Sequence, residues 1–164
     1  MKKRMVSIVL ALLVVGLLTN VSALAYEPES VLPLDLEVWF NDFFQTSEED
    51  AEPGANVAYI YQSGNDNISE QVQEGVDNRA YIYQNGDGNE VKQCQSGVGN
   101  WAGAYQVGNY NTVFTQQVGT GNWAGTYQVG NTNTAKIQQS GDNYSALIAQ
   151  VGNGNSAVVI QSSK

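Results

Sequence analysis

Residues 95–117 read QSGVGNWAGAYQVGNYNTVFTQQ, and within that stretch Gln95, Gln106 and Gln117 stand eleven residues apart. Each of the first two is followed by a Gly two places on and an Asn five places on. Extended in both directions, the Gln series is unbroken: Gln62, Gln73, Gln84, Gln95, Gln106, Gln117, Gln128, Gln139, Gln150 and Gln161. Gly follows all but the last, where Ser163 takes its place. The leading column holds Asn56, Asn67, Asn78, Asn89, Asn100, Asn111, Asn122, Asn133 and Asn155, with Tyr144 at the one remaining position. A fixed register of this length marks a repeat architecture, in which each unit buries its core against its neighbours.

Each unit is an Asn, five residues rich in β-formers, a Gln and a Gly-containing turn, which predicts one strand and one turn. Side chains alternate along a strand, so the second, fourth and sixth residues after the Asn share a face. The second-position residues Ala58, Ser69, Ala80, Val91, Ala102, Val113, Ala124, Ala135, Ala146 and Ala157 are all small, as a thin core between two sheets requires. The opposite face carries Tyr59, Arg79, Tyr81, Phe114 and other large residues, which are expected on the surface.

Alternate units differ. The fifth follower is Tyr61, Tyr83, Tyr105 and Tyr127 in one set but Val72, Cys94, Gln116 and Gln138 in the other, and Trp101 and Trp123 obey the same spacing. The true repeat is therefore 22 residues: strand, turn, strand, turn. The predicted fold is all-β, a β-solenoid of five such coils over residues 56–164 forming two facing parallel sheets. Residues 22 apart then stack at the roughly 4.8 Å spacing of paired strands. Tyr61, Tyr83, Tyr105 and Tyr127, with Trp101 and Trp123, become a surface aromatic ladder. Single buried amides are costly, but stacked Gln and Asn columns satisfy one another, so both columns are expected to be ladders that persist into self-assembly.

The last repeat ends in register at Ile160-Gln161-Ser162-Ser163, with nothing that reads as a polar cap. An uncapped solenoid recruits another copy head to tail, which yields a cross-β filament in place of a closed ring. Charge is uneven along the array: residues 93–135 contain no Asp, Glu, Lys or Arg, whereas the earlier coils contain Asp66, Glu70, Glu74, Asp77, Asp87 and Glu90. Those acids are expected to slow association as gatekeepers.

The residues before the repeats differ in kind. Lys2, Lys3 and Arg4, an apolar run from Val6 to Leu18 and Ala23-Leu24-Ala25 read as a secretory signal over residues 1–25. Residues 26–55 hold nine acids and no bases, with Pro28, Pro33 and Pro53 and an apolar cluster of Leu36, Trp39, Phe40 and Phe43. They are expected to form a mostly irregular segment whose aromatic cluster docks on a partner or plugs one end of the array, or does neither. The whole chain carries a net charge of −9; without the three basic residues of the leader it is −12, so no nucleic acid partner is expected. A single Cys94 excludes an internal disulfide framework.

The sequence contains no His and no paired acids in an apolar pocket, so neither enzymatic activity, a cofactor, a bound metal nor a small-molecule substrate is expected. The rival reading is a monomeric secreted solenoid that binds carbohydrate or ice through a flat aromatic face.

The motif Gln-x-Gly-x-x-Asn-x-Ala-x-x-x-Gln occurs at Gln73, Gly75, Asn78, Ala80 and Gln84, and again from Gln95, Gln117, Gln128 and Gln150. This pattern resembles the curlin family, the secreted subunits of curli amyloid fibres on bacterial surfaces. The resemblance implies a homopolymer, possible copolymerisation with a second curlin subunit, passage through an outer-membrane secretion pore with accessory chaperones, and an extracellular fibre for adhesion and biofilm matrix. Asn56, Asn78, Asn100 and Asn122 stand where the family's major subunit has Ser, which is more similar to the minor, nucleating type. Residues 26–55 lack the Gly/Asn-rich leader that the resemblance implies for pore recognition.

Overall fold

A computed structural model describes residues 52–163, and residues 1–25, which read as a secretory signal, and all but the end of the acidic segment lie outside the described residues. The repeats form ten strands: β1 (Val57–Ser63), β2 (Ile68–Val76), β3 (Arg79–Asn85), β4 (Glu90–Val98), β5 (Trp101–Val107), β6 (Thr112–Thr120), β7 (Trp123–Val129), β8 (Thr134–Ser140), β9 (Ser145–Val151) and β10 (Ser156–Ser162). No helix occurs among the described residues. Odd strands make one sheet in the order β1-β3-β5-β7-β9, and even strands make the other in the order β10-β8-β6-β4-β2. Every pairing is parallel and joins residues 22 apart, as in Ala102↔Ala124 and Gln95↔Gln117. The chain is thus a β-solenoid of five coils, as the doubled repeat predicts.

The alternation of burial follows the strand period. In β4 the inward Val91, Gln93 and Gln95 are buried while Lys92 and Cys94 between them are half-buried. The apolar core is thin, built from Ile82, Val91, Ala104, Val113, Ala124, Ala135, Ile137, Ala146 and Ile148. Small residues at the second position let the two sheets approach, and the sixth-position Gln fills the space beside the turns.

Glycine in the turns answers a steric demand. At Gly97 the backbone has φ +122°, and an added Cβ would collide with the carbonyl of Gly119 in the next coil. Stacked turns approach too closely for any side chain there.

Candidate functional site: amide ladders and two open edges

The Gln columns form continuous ladders, all running one way. In the odd-strand sheet, Gln62 donates its Nε2–H to Gln84 Oε1, Gln84 to Gln106, Gln106 to Gln128 and Gln128 to Gln150, at 2.8–2.9 Å. In the even-strand sheet, Gln73, Gln95, Gln117 and Gln139 donate in turn up to Gln161, at 2.8–2.9 Å. A further bond from the same nitrogen crosses to the facing sheet: Gln117 Nε2 donates to Trp101 O at 2.9 Å and Gln150 Nε2 to Thr134 O at 3.1 Å. Each central Gln therefore ties its coil both to the next coil and to the opposite sheet.

The Asn columns run the other way. Asn100 donates from both its backbone N and its Nδ2 to Asn78 Oδ1, at 3.1 and 2.9 Å, and Asn122 does the same to Asn100, at 3.1 and 3.0 Å. The column Asn67, Asn89, Asn111, Asn133 and Asn155 repeats this arrangement. Each Nδ2 but that of Asn155 also reaches the turn carbonyl of the following coil, as Asn100 does to Gly119 O at 2.9 Å. Within the two repeat columns, the Gln-to-Gln bonds thus run toward the C-terminal coil and the Asn-to-Asn bonds toward the N-terminal coil, while the outward Gln138 donates back to Gln116 at 2.9 Å.

A third column lies in the turns and is absent from the sequence reading. Asn65 N donates to Asp87 Oδ1 at 2.7 Å, Asp87 N to Asn109 Oδ1 at 2.8 Å, Asn109 N to Asn131 Oδ1 at 2.9 Å and Asn131 N to Asn153 Oδ1 at 2.8 Å. Its signal was the Asn or Asp that follows the Gly of every second turn.

The aromatic columns stack as expected in register but not in exposure. Tyr61, Tyr83, Tyr105 and Tyr127 stack with ring centroids 4.8–5.2 Å apart, and Trp101 stacks on Trp123 at 5.1 Å with 4° between the planes. Tyr61 is exposed and Tyr83 half-buried, whereas Tyr105 and Tyr127 are buried at 1% and 3%, and Tyr81 is fully buried. The expected surface ladder is a surface only at its N-terminal end for the Tyr column, whereas Trp101 and Trp123 are half-buried. Stacking between Tyr83 and Tyr127 covers both faces of Tyr105. Burial pushes the Tyr105 and Tyr127 phenols above the usual tyrosine range. Gly125 makes room for this layer, since a Cβ there would stand 2.5 Å from the Trp123 indole.

On the even-strand sheet the outward column is polar. Lys92 pairs with Glu70 at 2.7 Å, and Lys136 sits 5.6 Å from the centre of the Phe114 ring. Cys94 is a free, half-buried thiol on the same face. Among the described residues, no group of three or more His, Cys, Asp or Glu stands together to hold a metal ion.

Among the described residues, both ends of the stack are open. β1 and β2 at one end, and β9 and β10 at the other, each pair on one side only. The core residue Ile60 in β1 is 45% exposed, while Ile82 above it is fully buried. Gln62 Oε1 and Gln73 Oε1 receive no hydrogen bond among the described residues, and neither do the backbone N–H groups of Asn56 and Asn67 donate one. At the far end, Asn155 Oδ1 accepts none, and Gln150 and Gln161 donate only to backbone.

The fold and the ladders define a class: a parallel β-solenoid whose coils are joined by in-register amide columns and whose end strands, among the described residues, pair on one side only. The profile of the curlin-associated repeat matches residues 72–92, 111–141 and 133–162, and the chain belongs to the curlin family. No curated protein matches the chain. Curlins are structural fibre subunits and not enzymes.

Proposed function

We propose that this chain is a secreted structural subunit that adds to copies of itself head to tail and builds an extracellular curli-type amyloid fibre for adhesion and biofilm matrix. The observation that carries the reading is the pair of open ends. The acceptors left over at β1 and β2 are the partners that the Gln donors left over at β9 and β10 require, in the same 22-residue register. Exposed Ile60 at one end adds apolar area that a second copy would cover. Burial of Tyr105 and Tyr127 weighs against the rival reading, since a flat aromatic face must be accessible to bind carbohydrate or ice.

Family membership extends the reading to export through residues 1–25, an outer-membrane pore with accessory chaperones, and a second curlin subunit as a copolymer. Residues 26–55 form a separate segment in this scheme, before the repeat domain of residues 56–164. The test is to incubate the purified mature chain and follow it by electron microscopy and thioflavin fluorescence. Fibres with parallel cross-β order are the expected result, and a chain that stays monomeric at high concentration overturns the reading.

A further inference from the structure

Stacking one copy on another in unbroken register would place β1 of the incoming copy on β9 and its β2 on β10. Gln150 and Gln161 would then donate to the incoming Gln62 and Gln73, and Asn155 would accept from the incoming Asn67. Those three rungs repeat contacts that the chain makes internally at every level. The fourth position is different. Asn122 Oδ1 accepts the backbone N–H of Tyr144 at 3.0 Å, and there the column stops, because Tyr144 has no side-chain amide to offer the incoming Asn56.

The Tyr144 ring also occupies the corner itself. An added Cβ on Gly141 would stand 2.8 Å from Tyr144 Cε2, so the ring lies against that turn. Two coils below, Asn100 instead sends its Nδ2–H to Gly119 O at 2.9 Å. The loss is complete only at the end coil, since Asn122 still accepts the Tyr144 backbone N–H, without the side-chain bond that Asn100 receives from Asn122. The four lower members of the column, Asn56, Asn78, Asn100 and Asn122, all accept from the coil above.

We infer that Tyr144 makes the joint between copies weaker than any joint inside a copy, and so sets how tightly an incoming second copy is held. This inference rests on the self-assembly proposed above. The opposed directions of the two ladders add a constraint of polarity. The N-terminal end offers Gln acceptors and Asn donors, and the C-terminal end offers Gln donors and an Asn acceptor, so each end complements the other and not itself. A fibre built this way breaks between copies at the Tyr144 corner.

The experiment compares fibres of the full mature chain with those of Tyr144→Asn and Tyr144→Phe, reading the monomer concentration left at equilibrium. Restoring two hydrogen bonds is expected to lower that concentration about tenfold in Tyr144→Asn. Tyr144→Phe, which restores none, is expected to stay at the wild-type value. An unchanged or higher concentration for Tyr144→Asn, or a match between the two variants, overturns the inference. Failure of the wild-type chain to form fibres at all overturns the proposed function instead, and this inference with it.

Register is read separately by mixing Val57→Cys and Ser145→Cys single variants in a Cys94→Ser background and oxidising the fibres. Cross-links between positions 57 and 145 are expected. Links of 57 to 57 or 145 to 145 in comparable yield would show self-complementary ends and overturn the stated joint, even if Tyr144→Asn had folded poorly.

Discussion

Gln117 donates its side-chain N–H to Gln139 Oε1 at 2.9 Å, and both side chains are all but inaccessible to solvent. The same Gln117 accepts from Gln95 Nε2 and donates to Trp101 O, each at 2.9 Å. Gln117→Leu keeps most of the volume but strands a buried donor and two acceptors. Each orphaned group costs about 1–3 kcal/mol, so a loss of roughly 3 kcal/mol or more is expected. Gln62→Leu, on the exposed edge strand, is expected to cost under about 1 kcal/mol. Urea midpoints of the freshly prepared monomers compare the two, and equal losses would refute the view that the ladder is strongest at its centre.

Two glycines of one turn separate the steric demand from the conformational one. Gly97→Ala places a methyl group against the Gly119 carbonyl at φ +122°, and Gly99→Ala meets open space at φ +64°. The first is expected to cost about 4 kcal/mol or more, since the stacked turns must part. The second costs roughly 1–2 kcal/mol, the ordinary penalty of a left-handed alanine. Chemical denaturation of both monomers checks the ranking.

Much of this architecture was legible because the period of the sequence is the period of the structure. Ala80, Ala102 and Ala124 are small for the reason the spacing suggests, and Gln95 stacks on Gln117 because nothing else can satisfy a buried amide between identical neighbours. The opposed directions of the Gln and Asn ladders were not legible. Spacing fixes which amides meet, whereas side-chain torsions and the nearest carbonyl decide which end donates. Tyr105 and Tyr127 escaped for another reason: alternation assigns a residue to a face but does not say whether that face is open. The turn column of Asn65, Asp87 and Asn109 was hidden by its mixed composition, although Asp and Asn present the same acceptor there.

Thr132 stands at φ 56°, in a turn column where Gly88 and Gly154 have φ 65° and 70°. A β-branched residue is poorly suited to left-handed backbone, and its hydroxyl recovers only a bond to Asn131 O at 2.7 Å in an exposed turn. Thr132→Asn keeps a side chain that tolerates this conformation and does not loosen the unfolded chain as glycine would. A gain of about 1 kcal/mol in monomer stability is expected, read as a higher urea midpoint with an unchanged slope.

Buried Tyr105 and Tyr127 tie stability to alkaline pH. Burial raises both phenols above the ordinary tyrosine value of 10.0, so the folded chain keeps these protons after the unfolded chain has released its own. Stability is therefore full below pH 10 and falls above it, by about 1.4 kcal/mol per pH unit for each such group. Urea unfolding between about pH 9 and 12 should show that decline. Tyr127→Phe removes one of the two groups and is expected to flatten the slope by up to about 1.4 kcal/mol per unit. A slope unchanged by that substitution would show that these rings are not held away from water.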